Sequence, residues 1–363
     1  MTELPFDPLE LMRTNPEAMN VPGGVLTKHG PQKYVGCVPA IAGTLFFVDG
    51  HLPDVRAAIV ECFDDYQVTA NPQLTWLFRE EPPEGPSKMA IDKAKPLKTM
   101  LDKMDADDPV SFHYTSGKLA HDAGPWEFQV VGLPAWRAKM GGWGLCAMRF
   151  SVPLLFVEQY PDAFRDLFIK CARHLRAAHG YAGHSLVLSA LRYDENQAFE
   201  TFLATKLRGF DAGNLVAGAA TAHLGIKTVS WLTAIDSAYL EKIDGEPAVR
   251  SALPMDWFHL FDYGGGLVIQ AGPRPEPAPE DEDLPARLVL PYMLLQPVRA
   301  PAVRLHYASS ESEPRLIGLA AEKWLTRFDV APEQLMSYKA KLLKEPKISA
   351  RPAPPSPVDS PSI

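Results

Sequence analysis

Proline is the strongest constraint on what this chain can fold into: 35 of 363 residues, about twice the usual ~5% share. A proline removes a backbone donor and fixes φ, so it is expelled from helix interiors and central strands. The sequence therefore predicts short elements and many loops, not a long-helix bundle. Where the prolines fall matters more than their number. Pro5, Pro8, Pro16, Pro22 and Pro31, with Gly23-Gly24, mark residues 1–40 as a loop-rich segment. Pro53 and Pro161 each stand just ahead of an apolar helical stripe, the first-turn position where the missing N–H costs nothing. The final 19 residues, 345–363, contain six prolines and no aromatic, and read as a disordered tail.

Between these bounds the periodicity alternates between strand and helix. Ile41–Val48, Leu74–Phe78, Val110–Thr115, Trp126–Leu133, Trp143–Val152, Tyr181–Ser189 and Ile226–Ile235 read as strands, rich in β-branched and aromatic residues. Helices are predicted from Pro53, with Val55, Ile59, Cys62, Phe63 and Tyr66 on one stripe. Another runs from Asp162 to Ala178, closed by His179-Gly180. Short helices are expected around Leu97–Met104 and Ser237–Ile243, and a longer one over Leu316–Phe328. Trp257–Asp262 and Leu267–Ala271, joined across Gly264-Gly265-Gly266, predict an antiparallel hairpin. Arg287–Leu295 fits helix and strand equally. The expected class is α+β, with mixed or antiparallel sheets and flanking helices. The main domain spans 41–335 and has the option of two related lobes, 41–190 and 191–335. That option rests on residues 37–62 and 146–171, which align without gaps at an offset of 109 with six identities, including Cys37/Cys146 and Cys62/Cys171. Coincidence and a duplicated strand–helix unit both remain open.

Charge excludes some functions. The net charge is −8. The region after Tyr338 holds Lys339, Lys341, Lys344, Lys347 and Arg351 against Glu345 and Asp359, a net +3, which leaves −11 on residues 1–337. Phosphate-backbone binding needs clustered Lys and Arg, so direct nucleic-acid binding is not expected. The longest apolar runs, Val152–Val157 and Leu288–Leu295, are far short of the ~18 residues of a membrane span. The N-terminus has Glu3, Asp7 and Glu10 and no secretory pattern, so no membrane partner and a cytoplasmic location are expected.

No catalytic or metal motif survives inspection. Gly183-His184-Ser185 lacks the second glycine of a nucleophile elbow, position 187 being Val. The ten histidines show no ligand spacing, and the four cysteines form no C-x-x-C pair. The glycine triplet leads into a strand, not into the helix a phosphate cradle requires. No cofactor, metal or catalytic residue is therefore predicted. The acidic run Glu276, Glu280, Asp281, Glu282, Asp283, interleaved with Pro275, Pro277 and Pro279, reads either as a solvated loop or as a docking element for a basic partner.

Five segments, in order, resemble a bacterial type VI immunity family. They are Trp143 with Arg149-Phe150-Ser151 and Pro153; His179-Gly180-Tyr181-Ala182-Gly183; Trp231-Leu232-Thr233; Gly266-Leu267 through Gly272 and Pro275; and Trp324-Leu325 with Arg327-Phe328-Asp329. The Pro/Glu/Asp run replaces a loop that the family commonly continues with Gly-Asp. The resemblance implies a non-enzymatic protein that binds and neutralises a toxin, often a nuclease, encoded beside it. It also implies a large complementary surface, for which Glu276, Glu280, Asp281, Glu282, Asp283 and the aromatics Trp257 and Tyr263 are the expected contacts, on the premise that both rings are exposed. The alternatives are an effector-loading adaptor of the same secretion system, and an enzyme whose site is assembled from scattered residues such as His184, Ser185 and Cys146.

Overall fold

The structure is a computed structural model and describes residues 14–24, 33–70, 72–80, 83–140, 144–307 and 313–350. Much of the N-terminal segment, Trp143 and tail residues 351–363 lie outside the described residues. The strands are β1 (Val21–Pro22), β2 (Val35–Phe47), β3 (Trp76–Arg79), β4 (Lys88–Ala90), β5 (Val110–Thr115), β6 (Glu127–Gly132), β7 (Cys146–Pro153), β8 (His179–Leu188), β9 (Leu232–Asp236), β10 (Phe258–Asp262) and β11 (Gly266–Ala271). The helices are α1 (Pro53–Ala70), α2 (Leu97–Leu101), α3 (Ala135–Met140), α4 (Leu154–Gln159), α5 (Pro161–His174) and α6 (Tyr193–Lys206). The remainder are α7 (Leu215–Thr221), α8 (Ser237–Glu241), α9 (Gly245–Ala252), α10 (Ala286–Leu294), α11 (Leu319–Leu325) and α12 (Leu335–Leu342). The fold is α+β, as the sequence predicts.

All strands join one antiparallel sheet in the order β10-β11-β9-β8-β2-β7-β6-β5-β3-β4, with β1 added to β2. The sheet runs unbroken through both halves of the chain. β2 lies at its centre and starts at Val35, six residues before the predicted run, so it carries Pro39 inside a central strand. The ladder explains the exception. On one edge β1 stops pairing at Cys37 and β7 begins at Ala40, so Pro39 falls in a gap where no ladder bond is missing. His179-Gly180, expected to end α5, instead open β8; α5 stops at His174, and Arg176 turns the chain with φ +48°. The predicted strand Ile226–Ile235 is a strand only from Leu232. Arg287–Leu295 resolves as helix α10, with Pro291 inside it.

The strand period of two sets the packing. On one face Phe112, Tyr114, Phe128, Val130, Met148, Phe150 and Leu77 are buried beneath α1, α2 and α5. Gly43 sits under α5, where a Cβ would meet the Phe168 and Phe150 rings at 2.9 and 3.0 Å; glycine is what lets helix and sheet close up here. A second core forms on the opposite face of the β9–β11 end, with Ile235, Leu267 and Ile269 against α8, α9, α10 and α12. Next to it α7 covers Phe46, Ala147 and Tyr181. Over β3, β5 and β6 no helix among the described residues seals that same face: Phe78, Ser111, His113, Gln129 and Val131 are only half-buried.

The internal similarity has a geometric counterpart. Ala42 pairs with Ser151 in the β2–β7 ladder, and Cys62 Sγ lies 3.9 Å from the Cys171 carbonyl where α1 meets α5. Both pairs are 109 apart, so aligned positions face each other about a local two-fold. Beyond the helices the connections diverge: α1 leads to β3, third strand out from β7, and α5 leads to β8, beside β2.

The tail expected from residue 345 is anchored at its start. Glu345 accepts the N–H groups of Ala286 and Arg287 at the head of α10 and the Arg287 Nε at 2.8 Å, and the Ile348 N–H reaches the Asp256 carbonyl at 2.9 Å. A carboxylate at a helix N-terminus satisfies orphan donors and meets the positive end of the helix dipole. We expect Glu345→Ala to cost about 2 kcal/mol of unfolding free energy in a urea titration, and Glu345→Gln less.

Candidate functional site

The open face grades into a buried polar network. Cross-strand register builds it. Glu127 on β6 lies diagonal to Arg149 on β7 and to His113 on β5, near enough for long side chains to meet. His113 Nε2 is 2.6 Å from Glu127 Oε1, and Arg149 Nε is 3.4 Å from Glu127 Oε2. Arg149 continues to Asp211 at 3.4 Å and donates to Ser185 Oγ at 2.7 Å and the Leu186 carbonyl at 2.9 Å. Asp211 also accepts from Lys227 Nζ at 2.7 Å, which in turn donates to Tyr181 Oη at 3.0 Å and the Ala212 carbonyl at 2.7 Å. Charges thus alternate inward from Glu127. Arg149, Glu127, Asp211 and Lys227 are all buried.

Burial opposes each of these charges, and the neighbours overcome it. Burial pushes the Glu127 carboxyl up, but the His113 hydrogen bond and the Arg149 charge hold it below its usual value. Burial likewise works against the Arg149 and Lys227 cations, yet Glu127 and Asp211 for the first, and Asp211 for the second, raise them above theirs. A second buried pair lies close by: His306 Nε2 is 2.6 Å from Glu200 Oε2 on α6, and His306 Nδ1 accepts the Leu316 N–H. That acceptance places the imidazole proton on Nε2, donating to Glu200.

Two concavities open on this face. A cavity of about 90 Å³ is lined by His113, Glu127, Gln129, Arg149, Tyr193 and Glu200. A groove of about 350 Å³ follows along β5 and β6, with Val110, Ser111, Val131 and Leu133 on one side and Val216 and Tyr307 on the other. Val216 of α7, in its lining, is 45% exposed, and Trp136 of α3, whose ring lies 5.7 Å from the guanidinium of groove-lining Arg137, is 50% exposed. Half-exposed aromatics beside a groove mark interaction surfaces more often than single exposed aliphatics do.

The contacts expected from the sequence are placed differently. Trp257 and Tyr263 are 6% and 1% exposed, which corrects the premise that both rings are open to a partner. Trp257 donates its indole N–H to the Glu345 carbonyl, and Tyr263 Oη donates to the Ala177 carbonyl. The acidic run is largely paired within the chain: Glu276 with Arg287, Glu280 with Lys206, and Asp283 with Lys341. Asp281 and Glu282 are exposed and carry no ion pair. Ser185, His184 and Cys146 form no nucleophile–base arrangement: Ser185 Oγ donates to the Asp211 carbonyl at 3.2 Å and Cys146 is buried. Among the described residues no group of His, Cys, Asp and Glu is arranged to hold a metal, and no helix is long and apolar enough to cross a membrane.

The TsiV family, described as type VI immunity for VRR-NUC, matches residues 58–328. The chain belongs to this family. A solved structure, the Pseudomonas aeruginosa T6SS protein PA0821, is 41% identical over 95% of this chain and 97% of its own, with a TM-score of 0.87. No curated protein matches the chain. The matched span includes β5 to β8, α6 and α7, and so the whole open face with Glu127, Arg149, Glu200 and Asp211. Sequence reading passed over this face. Its one visible signal was the alternation of Ser111, His113, Glu127 and Gln129 with core aromatics along two strands.

Proposed function

We propose that this immunity-family chain neutralises a VRR-NUC toxin by stoichiometric binding, without catalysis, and that the open half of the sheet is its main contact surface. The observation that carries the reading is the uncovered face itself. The same strands are sealed by helices on one side and, on the other, present half-buried polar residues beside a groove flanked by Val216 and Trp136. A soluble fold leaves such a face open at a cost unless something covers it. The folded body is acidic, and toxins that act on nucleic acid are basic around the site that holds phosphate, so attraction speeds encounter. Asp281 and Glu282, unpaired and exposed, suit a secondary contact. Binding a nuclease where its nucleic acid lies puts the chain in the cytoplasm.

Co-expression tests this. Cells making the cognate toxin should survive with this chain and die without it, and the two proteins should co-purify. Trp136→Glu with Val216→Glu should weaken the complex by at least about 30-fold in a binding titration, while the melting temperature holds. Equal killing with and without the chain sinks the reading. An adaptor would instead be required for toxin export from the attacking cell and would give no protection.

A further inference from the structure

We infer that the cavity between β5, β6, β7 and α6 receives a single cationic side-chain head, a guanidinium or an ammonium, presented by the toxin. The inference rests on the toxin-binding reading and deepens it.

The lining decides the sign of the guest. Glu127 and Glu200 face the cavity with one cation, Arg149, for a formal balance of −1. Behind them Asp211 and Lys227 cancel through their own ion pair. Arg149 has at most one of its five N–H donors left for an anion, since Glu127, Asp211, Ser185 and the Leu186 carbonyl face the others. Acceptors, in contrast, remain: ionised Glu127 and Glu200 are acceptor-only, with about four lone-pair sites each against one or two contacts within the chain. Tyr193 also lines the cavity, and its buried Oη, able to accept or to donate, has no hydrogen-bond partner. Buried polar atoms left unsatisfied cost free energy, and a donor-only group that enters from outside removes the cost. Lys and Arg heads are donor-only.

Size decides the rest. About 90 Å³ is too small for a cofactor or a drug-sized ligand, which need roughly 300 Å³ or more, but it admits a side-chain head. Half-buried His113, Gln129 and Asn214 frame the way in, next to the groove. The partner of a TsiV-family chain is a VRR-NUC toxin. A protein that grips phosphate displays Arg and Lys, so a basic anchor is what such a partner has to offer.

The test uses the whole chain and its cognate toxin. Gln129→Lys places an ammonium at the mouth and should weaken binding by about 100-fold, whereas Gln129→Glu, similar in size and opposite in sign, should bind as tightly as wild type or tighter. Glu200→Gln should lose about 10-fold. Ala190→Arg, on the other rim, serves if Gln129→Lys melts early. Agmatine, used as a free guanidinium probe at millimolar concentration, should shift the amide resonances of Gln129 and Asn214 in wild type but not in Gln129→Lys. If the folded Gln129→Lys and Ala190→Arg chains bind the toxin as tightly as wild type, the cavity takes no charged anchor and this inference falls while toxin binding stands. If wild type does not bind the toxin at all, both fall.

Discussion

Replacing Arg149 by Met should cost about 3–5 kcal/mol of folding free energy, the loss expected when one partner is removed from a buried ion network. The size follows from what is left behind. Glu127 and Asp211 would stay buried in a region built for charge, each having lost a cation at 3.4 Å. Ser185 Oγ and the Leu186 carbonyl would lose their donors as well. Met supplies nearly the same volume, so cavity formation adds little. The cause is separable by a cycle: in an Asp211→Asn background the same Arg149→Met change should cost at least about 1 kcal/mol less, because one stranded carboxylate is already gone. Chemical denaturation with a common m-value checks both numbers. A loss below about 1 kcal/mol would mean that water reaches the network and that its charges contribute little.

The network also shows where sequence reading stops. β5, β6 and the β10–β11 hairpin were legible because alternation at period two and a glycine turn are local signals. The Arg149–Asp211–Lys227 chain joins residues 62 and 16 positions apart, and no spacing rule links them. α6 was missed for a related reason. Its buried face mixes Ala198 and Ala204 with Asn196, Gln197, Glu200 and Thr201, polar residues that break the apolar stripe by which an amphipathic helix is recognised. One of the side chains that hid the helix, Glu200, lines the cavity of the candidate site.

The acidic run illustrates the converse error. Three of its five carboxylates look free in sequence because their counter-charges come from elsewhere: Lys206 from α6, Arg287 from α10 and Lys341 from α12. Trp257 and Tyr263, expected to be exposed, are held by chain distant in sequence, the Glu345 and Ala177 carbonyls. Trp257 is in fact closed over by the Glu345–Lys347 segment, with Lys347 Nζ 5.0 Å from its ring centroid. Burial of a loop aromatic is decided by chain that arrives later. Proline was informative at helix starts, where its effect is local. It misled at Pro39, where the gap between two partner strands absorbs the missing donor.

Acid should destabilise the fold through His179, by up to about 3 kcal/mol between pH 7 and pH 4. The ring is fully buried. It lies 4.8 Å from the Phe46 ring and 5.7 Å from Tyr239, its Nε2 donates to the Ala222 carbonyl at 2.9 Å, and its Nδ1 has no partner. A second proton would have to sit on Nδ1 in apolar surroundings, and burial lowers the pKa from 6.5 to about 4. The unfolded chain therefore takes up a proton near pH 6.5 while the folded chain does not. This histidine's contribution is complete above pH 6.5, shrinks as pH falls and is gone below about pH 4. Carboxylates such as Glu127, held low by its partners, add an acid loss of their own, so the wild-type slope alone does not isolate the histidine. His179→Gln does: its amide keeps a donor for Ala222 and does not titrate. Whatever the variant costs at pH 7, the wild-type advantage over it should narrow by up to about 3 kcal/mol by pH 4. Parallel stability curves for the two proteins across that range would show that the folded chain protonates His179 as readily as the unfolded one, and would place water at Nδ1.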